Sequence, residues 1–126
     1  AHHPAEIKQS ALSIRELYSD KHITAVFQPH VYTRTRDFYQ EFADSLSLFD
    51  DVILTDIYPA RELPIPGVTS QLIADNLKPG VPCTLCLKGE VTDIVRQRCN
   101  DIEILVLLGA GDLESQANEI TDIMKD

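Results

Sequence analysis

His22-Ile23-Thr24-Ala25-Val26-Phe27-Gln28-Pro29 is a β-rich run stopped by a proline, which cannot donate to a strand ladder. Beyond it, Thr35 to Leu48 changes to helical spacing, with Phe38, Phe42, Leu46 and Phe49 three or four residues apart. Asp51 to Ile57 returns to an apolar strand around Val52-Ile53-Leu54. Strand, short connection, helix and strand make a βαβ unit, and two strands joined in this way run parallel.

The rest of the sequence extends this unit. Pro4 to Ser19 carries Ile7, Ala11, Ile14 and Leu17 or Tyr18 at helical steps, with Pro4 suited to a first helical turn. Thr69 to Leu77 reads as a short helix, broken off by Pro79, Gly80 and Pro82. Cys83 to Leu87 is a third strand and Glu90 to Cys99 a further helix. Ile102 to Leu108 is the most apolar run and fits a central strand covered on both faces. Gly109-Ala110-Gly111 turns the chain into a closing helix, Asp112 to Lys125. The expected fold is therefore a single α/β domain, a Rossmann-like mostly parallel sheet with helices on both faces. Such sheets bind ligands at the carboxyl ends of their strands, where the strand order reverses. Function is thus to be sought after Gln28, Ile57, Leu87 and Leu108.

A chain of 126 residues is one domain's worth, and 44% hydrophobic with 25% charged residues is ordinary for a globular protein. The net charge of −9 argues against nucleic acid and against an anionic membrane surface as partners. No apolar run approaches the roughly 20 residues that cross a bilayer, so membrane insertion is not expected. No basic start leads into an apolar stretch, and three cysteines form no secreted framework. These features favour the cytoplasm. Cys83 and Cys86 form a C-x-x-C, but on a strand positions three apart face opposite ways, so the pair reads as structural rather than metal-binding.

The candidate chemistry lies mostly in Gln28-Pro29-His30-Val31-Tyr32-Thr33-Arg34-Thr35-Arg36, where His30, Arg34 and Arg36 gather just before a helix in an otherwise acidic chain. Guanidinium groups fit carboxylates and phosphates, and the free N–H groups of a helix start add to the attraction. This is a local anion site or, equally, a solvated basic turn with its arginines paired to acids such as Asp37 and Glu41. The proline-rich loop Asp56 to Gly67 holds Arg61 and Glu62, which are placed to pair with each other. His2 and Glu6, four apart across Pro4, make a poor metal pair, and no metal site is expected. Beginning on His2-His3 suggests a motif cut through its middle. No G-x-x-x-x-G-K-[ST] occurs, so nothing here would cradle a triphosphate.

Three segments together resemble the Mur ligase family. His2-His3-Pro4-x-Glu6 is similar to a family segment in which two aspartates, a tyrosine and a small residue precede His-His-Pro-x-Glu. Phe27-Gln28-Pro29-His30-x-Tyr32-Thr33-Arg34-Thr35-Arg36-Asp37 is a long match that points to the branch adding L-alanine to UDP-N-acetylmuramate. Asp56-Ile57-Tyr58-Pro59-Ala60-Arg61-Glu62-x-Pro64-Ile65-Pro66-Gly67 and Leu108-Gly109-Ala110-Gly111-Asp112 complete it.

The resemblance implies that residues 1–126 are the C-terminal, amino-acid-binding domain of a three-domain bacterial enzyme of peptidoglycan precursor synthesis. Its N-terminal domain would hold UDP-N-acetylmuramate, and its central P-loop domain ATP and Mg2+, with neither cofactor expected on this domain alone. The sugar carboxylate would become an acyl phosphate, attacked by the alanine amine. By the resemblance, His30 and Arg34 line the pocket for alanine and the product carboxylate, and His2 lies near its nucleotide end, with His3 beside it on the ATP side. Many members have arginine where this chain has Val31, which shifts carboxylate binding toward Arg34, with Arg36, Arg61 and Tyr32 as further candidates. The chain by itself is expected to be inactive. Two alternatives stand beside this reading. One is the related recycling ligase that attaches a tripeptide to the same sugar, and the other is a receiver-like regulatory module using Asp56.

Overall fold

The structure is a computed structural model and describes residues 3–98 and 104–109. Helix α1 spans Pro4–Leu17 and is followed by strand β1, Ile23–Gln28. Helix α2, Tyr32–Leu46, leads to strand β2, Asp51–Leu54, and short helix α3, Ser70–Ala74, to strand β3, Cys83–Leu85. A 3-10 turn at Lys88–Glu90 opens helix α4, Val91–Arg98, before strand β4, Ile104–Gly109. The four strands are all parallel in the order β3-β2-β1-β4, with Ala25 opposite both Val52 and Val106 and Ile53 opposite Thr84.

This order explains where the helices lie. From β1 to β2 to β3 the chain moves in one direction across the sheet, and then it returns past both to place β4 on the far side of β1. Parallel crossovers keep a single hand, so a reversal of direction moves the connecting helix to the other face. Accordingly α1, α2 and α3 cover one face: Ile7, Ala11, Phe42, Leu46 and Ile73 pack on Ile23, Ala25, Phe27, Val52 and Leu54. Helix α4 covers the other with Val91 and Val95, against Val26 and Ile53. Alternation along each strand divides the two cores, as a pleated strand must. Helices on both faces of a parallel sheet are what the βαβ pattern predicted.

Position within the sheet was not legible in apolarity. Ile102 to Leu108 suggested the central strand, yet β4 pairs with β1 alone among the described residues. Among the described residues the interior positions belong to β1 and β2, and the six residues of β1 are all buried, including the polar Thr24 and Gln28. A parallel strand reads as apolar wherever both its faces are covered, so composition does not report its rank in the order.

The amino ends of the strands are tied by ion pairs. Arg15 donates to Asp50 at 3.1 Å and to the Leu48 carbonyl at 3.0 Å, while Asp50 also accepts the Ile23 N–H at 2.8 Å. Across the sheet, Arg98 at the end of α4 reaches Thr84 at 3.0 Å and Asp51 at 3.7 Å. Burial works to raise the Asp50 pKa, but the Ile23 N–H, the Arg15 bond and charge, and His22 together hold it below its ordinary 3.8. A carboxylate with a depressed folded pKa stabilises the fold above its unfolded value and loses that contribution as pH falls through the folded one. The melting temperature of the chain should therefore drop on acidification from about pH 5 to about pH 3, and Asp50→Asn should flatten part of that drop. An identical acid profile in the variant would remove Asp50 from the account.

Candidate functional site

The strand order reverses at β1, so the segment leaving its carboxyl end, Pro29-His30-Val31, stands at the switch point where open parallel sheets take their ligands. The loop after β2 holds this segment. Tyr58 donates its N–H to the Pro29 carbonyl and accepts the Val31 N–H, both at 2.8 Å, which forms a parallel bridge between His30 and Tyr58. The His30 ring stacks on Tyr58 with centroids 5.6 Å apart and planes 26° apart.

Val31 adopts φ 59°, ψ 153°, a region that β-branched residues almost never enter and that costs on the order of 1–3 kcal/mol. Its surroundings over-determine it. The Val31 N–H is taken by Tyr58, and its carbonyl accepts from the Thr35 N–H at 3.3 Å and the Thr35 hydroxyl at 2.9 Å. The bend lets the chain pass directly from the strand into α2, three residues before the Thr35 start that spacing suggested.

Glu62 completes that early start. Its carboxylate accepts from the Tyr32 N–H at 2.7 Å, the Thr33 N–H at 3.0 Å and the Thr33 hydroxyl. The Thr33 hydroxyl and N–H, followed by the Tyr32 N–H and the charge of Arg36, hold its pKa below the usual carboxylate value. Two sequence expectations are corrected here. Glu62 does not pair with Arg61, and the N–H groups of the α2 start are occupied by the protein's own acid rather than offered to a ligand. Arg36 follows the plainer reading, bonded to Asp37 at 2.9 Å with both side chains about half exposed. Arg61 is exposed on the same loop as Glu62.

Arg34 is different. It is half-buried on the first turn of α2, and its Nη1 is fully buried with no hydrogen-bond partner among the described residues. A buried donor left unsatisfied costs about 1–3 kcal/mol, so an anion arriving there gains what the folded chain gives up. One turn further along the same helix face is Phe38, where the backbone departs from helical geometry (φ −126°, ψ 15°). The His3 ring lies 5.8 Å from Phe38 at 50°, and its Nδ1 caps α1 by accepting the Ala5 N–H at 3.3 Å. The fold thus places His30, Tyr32 and Arg34 at the start of α2, with His3 against Phe38 one turn beyond Arg34. His2, the turn after Gly109 and the closing helix lie outside the described residues.

Beside this group a cavity of about 370 Å3 opens over the carboxyl ends of β2 and β3, with Tyr32, Thr55, Asp56, Ser70, Cys86 and Leu87 on its wall. Cys86 packs on the α4 side and Cys83 on the other, as strand alternation required, and burial pushes both thiols up to about 11. The sequence has no P-loop, and among the described residues no three acids, histidines or cysteines stand close enough to hold a metal ion. No helix of the described residues is long and apolar enough to cross a membrane.

Sequence spacing missed two residues. Glu62 caps a helix 30 positions earlier, which no local pattern encodes. Gln28 closes β1 fully buried, its side-chain oxygen without a hydrogen-bond partner among the described residues, and only its place ahead of Pro29 hinted at the end of the strand.

Comparison with known proteins agrees with this architecture. The family described as "Mur ligase, glutamate ligase domain" matches residues 1–120. UDP-N-acetylmuramate–L-alanine ligases from Phocaeicola vulgatus and Parabacteroides distasonis are 61% identical over 124 residues and 50% identical over 125, each alignment covering 98% of this chain. These alignments cover 27% and 26% of the two proteins, so the chain spans about a quarter of their length. Among solved structures, the UDP-N-acetylmuramate–alanine ligase of Thermotoga maritima superposes with a TM-score of 0.72 at 23% identity, over 99% of this chain and 25% of that one. A murein peptide ligase from Psychrobacter arcticus gives 0.69 at 15% identity, over 100% and 26%. Both share the fold, and with the family match running over nearly all of its length, this chain belongs to the Mur ligase family.

Proposed function

We propose that this chain is the C-terminal domain of an ATP-dependent ligase that joins L-alanine to UDP-N-acetylmuramate in the bacterial cytoplasm, and that it binds the amino acid. The observation that carries the reading is the buried Nη1 of Arg34, which has no hydrogen-bond partner among the described residues, on the first turn of the helix that leaves the switch point. A guanidinium offers a carboxylate two parallel N–H donors, and the α-carboxylate is the one group common to every amino-acid substrate. The 61% identity to an L-alanine ligase supports the alanine branch. We assign the second wall of the amino-acid pocket to His30, stacked on Tyr58, because Arg36 is drawn off by Asp37 and Arg61 is exposed. ATP and Mg2+ would be held by the central domain of the enzyme, with His2 and His3 of this chain on the ATP side. Its part is to hold the amino acid in one orientation, which removes translational and rotational freedom before the amine attacks.

The test is phosphate release by the full-length enzyme with ATP, Mg2+ and UDP-N-acetylmuramate, comparing L-alanine with a tripeptide. Release that depends on L-alanine is expected, and none from the 126-residue chain alone. A tripeptide preference would transfer the assignment to the recycling branch. Silence with both would leave only an α/β binding module.

A further inference from the structure

We propose that Glu62 is a positioning residue for the amino-acid site, holding the first turn of α2 so that Arg34 is presented to the substrate carboxylate. The inference rests on the function proposed above and adds a residue from a different loop. Glu62 has no role in the pocket by its own charge, because its carboxylate is already committed to three donors on Tyr32 and Thr33. Those two residues directly precede Arg34.

Three features make this turn dependent on an outside support. Val31 enters it at φ 59°, a conformation the chain would leave if unrestrained. No side chain of the Val31 cap position bonds the helix start, so the first N–H groups have only Glu62 among the described residues. The Tyr58 bridge fixes the chain on the strand side of Val31, whereas on the helix side Val31 is held, among the described residues, only from within α2, by the N–H and hydroxyl of Thr35. Glu62 supplies the missing restraint from the same loop as Tyr58, so residues 58–62 grip the segment 29–33 at both ends. With the helix start filled by an internal carboxylate, the substrate carboxylate is directed to Arg34 and away from the N–H groups.

Steady-state kinetics of the full-length enzyme test this. Glu62→Ala should raise the KM for L-alanine by about tenfold or more and leave the KM for ATP within about twofold. Glu62→Gln keeps an oxygen for both N–H groups and an amide for the Thr33 hydroxyl, so it should return the KM for L-alanine to within about threefold of the parent. A purely structural role would instead lower the melting temperature and move both KM values together, and that result would overturn the proposal. An unchanged KM for L-alanine in Glu62→Ala would do the same. If Glu62→Ala does not fold, Thr33→Val removes the hydroxyl contact alone, and a selective rise in the KM for L-alanine is still required. The parent enzyme separates the two claims. Alanine-dependent phosphate release in the parent with no selective effect in the variants sinks only the role of Glu62, while no such release in the parent sinks both.

Discussion

Arg34→Ala in the full-length enzyme is expected to raise the KM for L-alanine by about 30-fold or more, with the KM for ATP little changed. Removing one member of a buried charged contact costs on the order of 2–5 kcal/mol, and each 1.4 kcal/mol is about tenfold in affinity. The estimate belongs to Arg34 rather than to its neighbours because of how each is placed. Arg36 is exposed and bonded to Asp37, in the class of surface pairs that contribute about 0–1 kcal/mol. Arg36→Ala should accordingly change the KM for L-alanine far less, and the two variants measured side by side control for loss of positive charge. Arg34→Lys is a finer probe. A lysine keeps the charge but lacks the planar fork, so it should recover little of the loss. If Arg34→Ala left the KM for L-alanine unaltered, Arg34 would not be the carboxylate ligand, and Arg61 would be the next arginine to examine.

The second large effect is on stability. Phe27 is fully buried at the carboxyl half of β1, its ring 5.2 Å from that of Phe42 on α2. Both belong to the larger of the two cores. Truncating a buried phenylalanine typically costs about 3–5 kcal/mol through lost transfer energy and the cavity left behind. Domains of this size are stable by about 5–15 kcal/mol, so Phe27→Ala should lower the urea midpoint of the chain sharply, or leave it partly unfolded at 25 °C. Leu63, 84% exposed in the loop after β2, supplies the contrast. Leu63→Ala should stay within about 0.5 kcal/mol of the parent. A small loss for Phe27→Ala would mean that the sheet repacks around the gap, and the core would be softer than its burial implies.

The amino-acid sequence by itself determined the α/β class, the parallel strands and the presence of helices on both faces, because these follow from short-range periodicity and the fixed hand of crossovers. It also determined the opposed placement of Cys83 and Cys86 and marked Pro29 to Arg36 as the segment to examine, since strand ends, prolines and clustered cations are local signals. Tertiary structure alone decided which of the described strands lie inside the sheet, because rank in a sheet depends on the order of long-range pairing and not on how apolar a strand is. It alone sorted the arginines, burying the Nη1 of Arg34 with no partner among the described residues while Asp37 holds Arg36 at the surface. It alone placed Glu62 on the start of α2, a contact between residues some 30 positions apart that no pattern of spacing can carry.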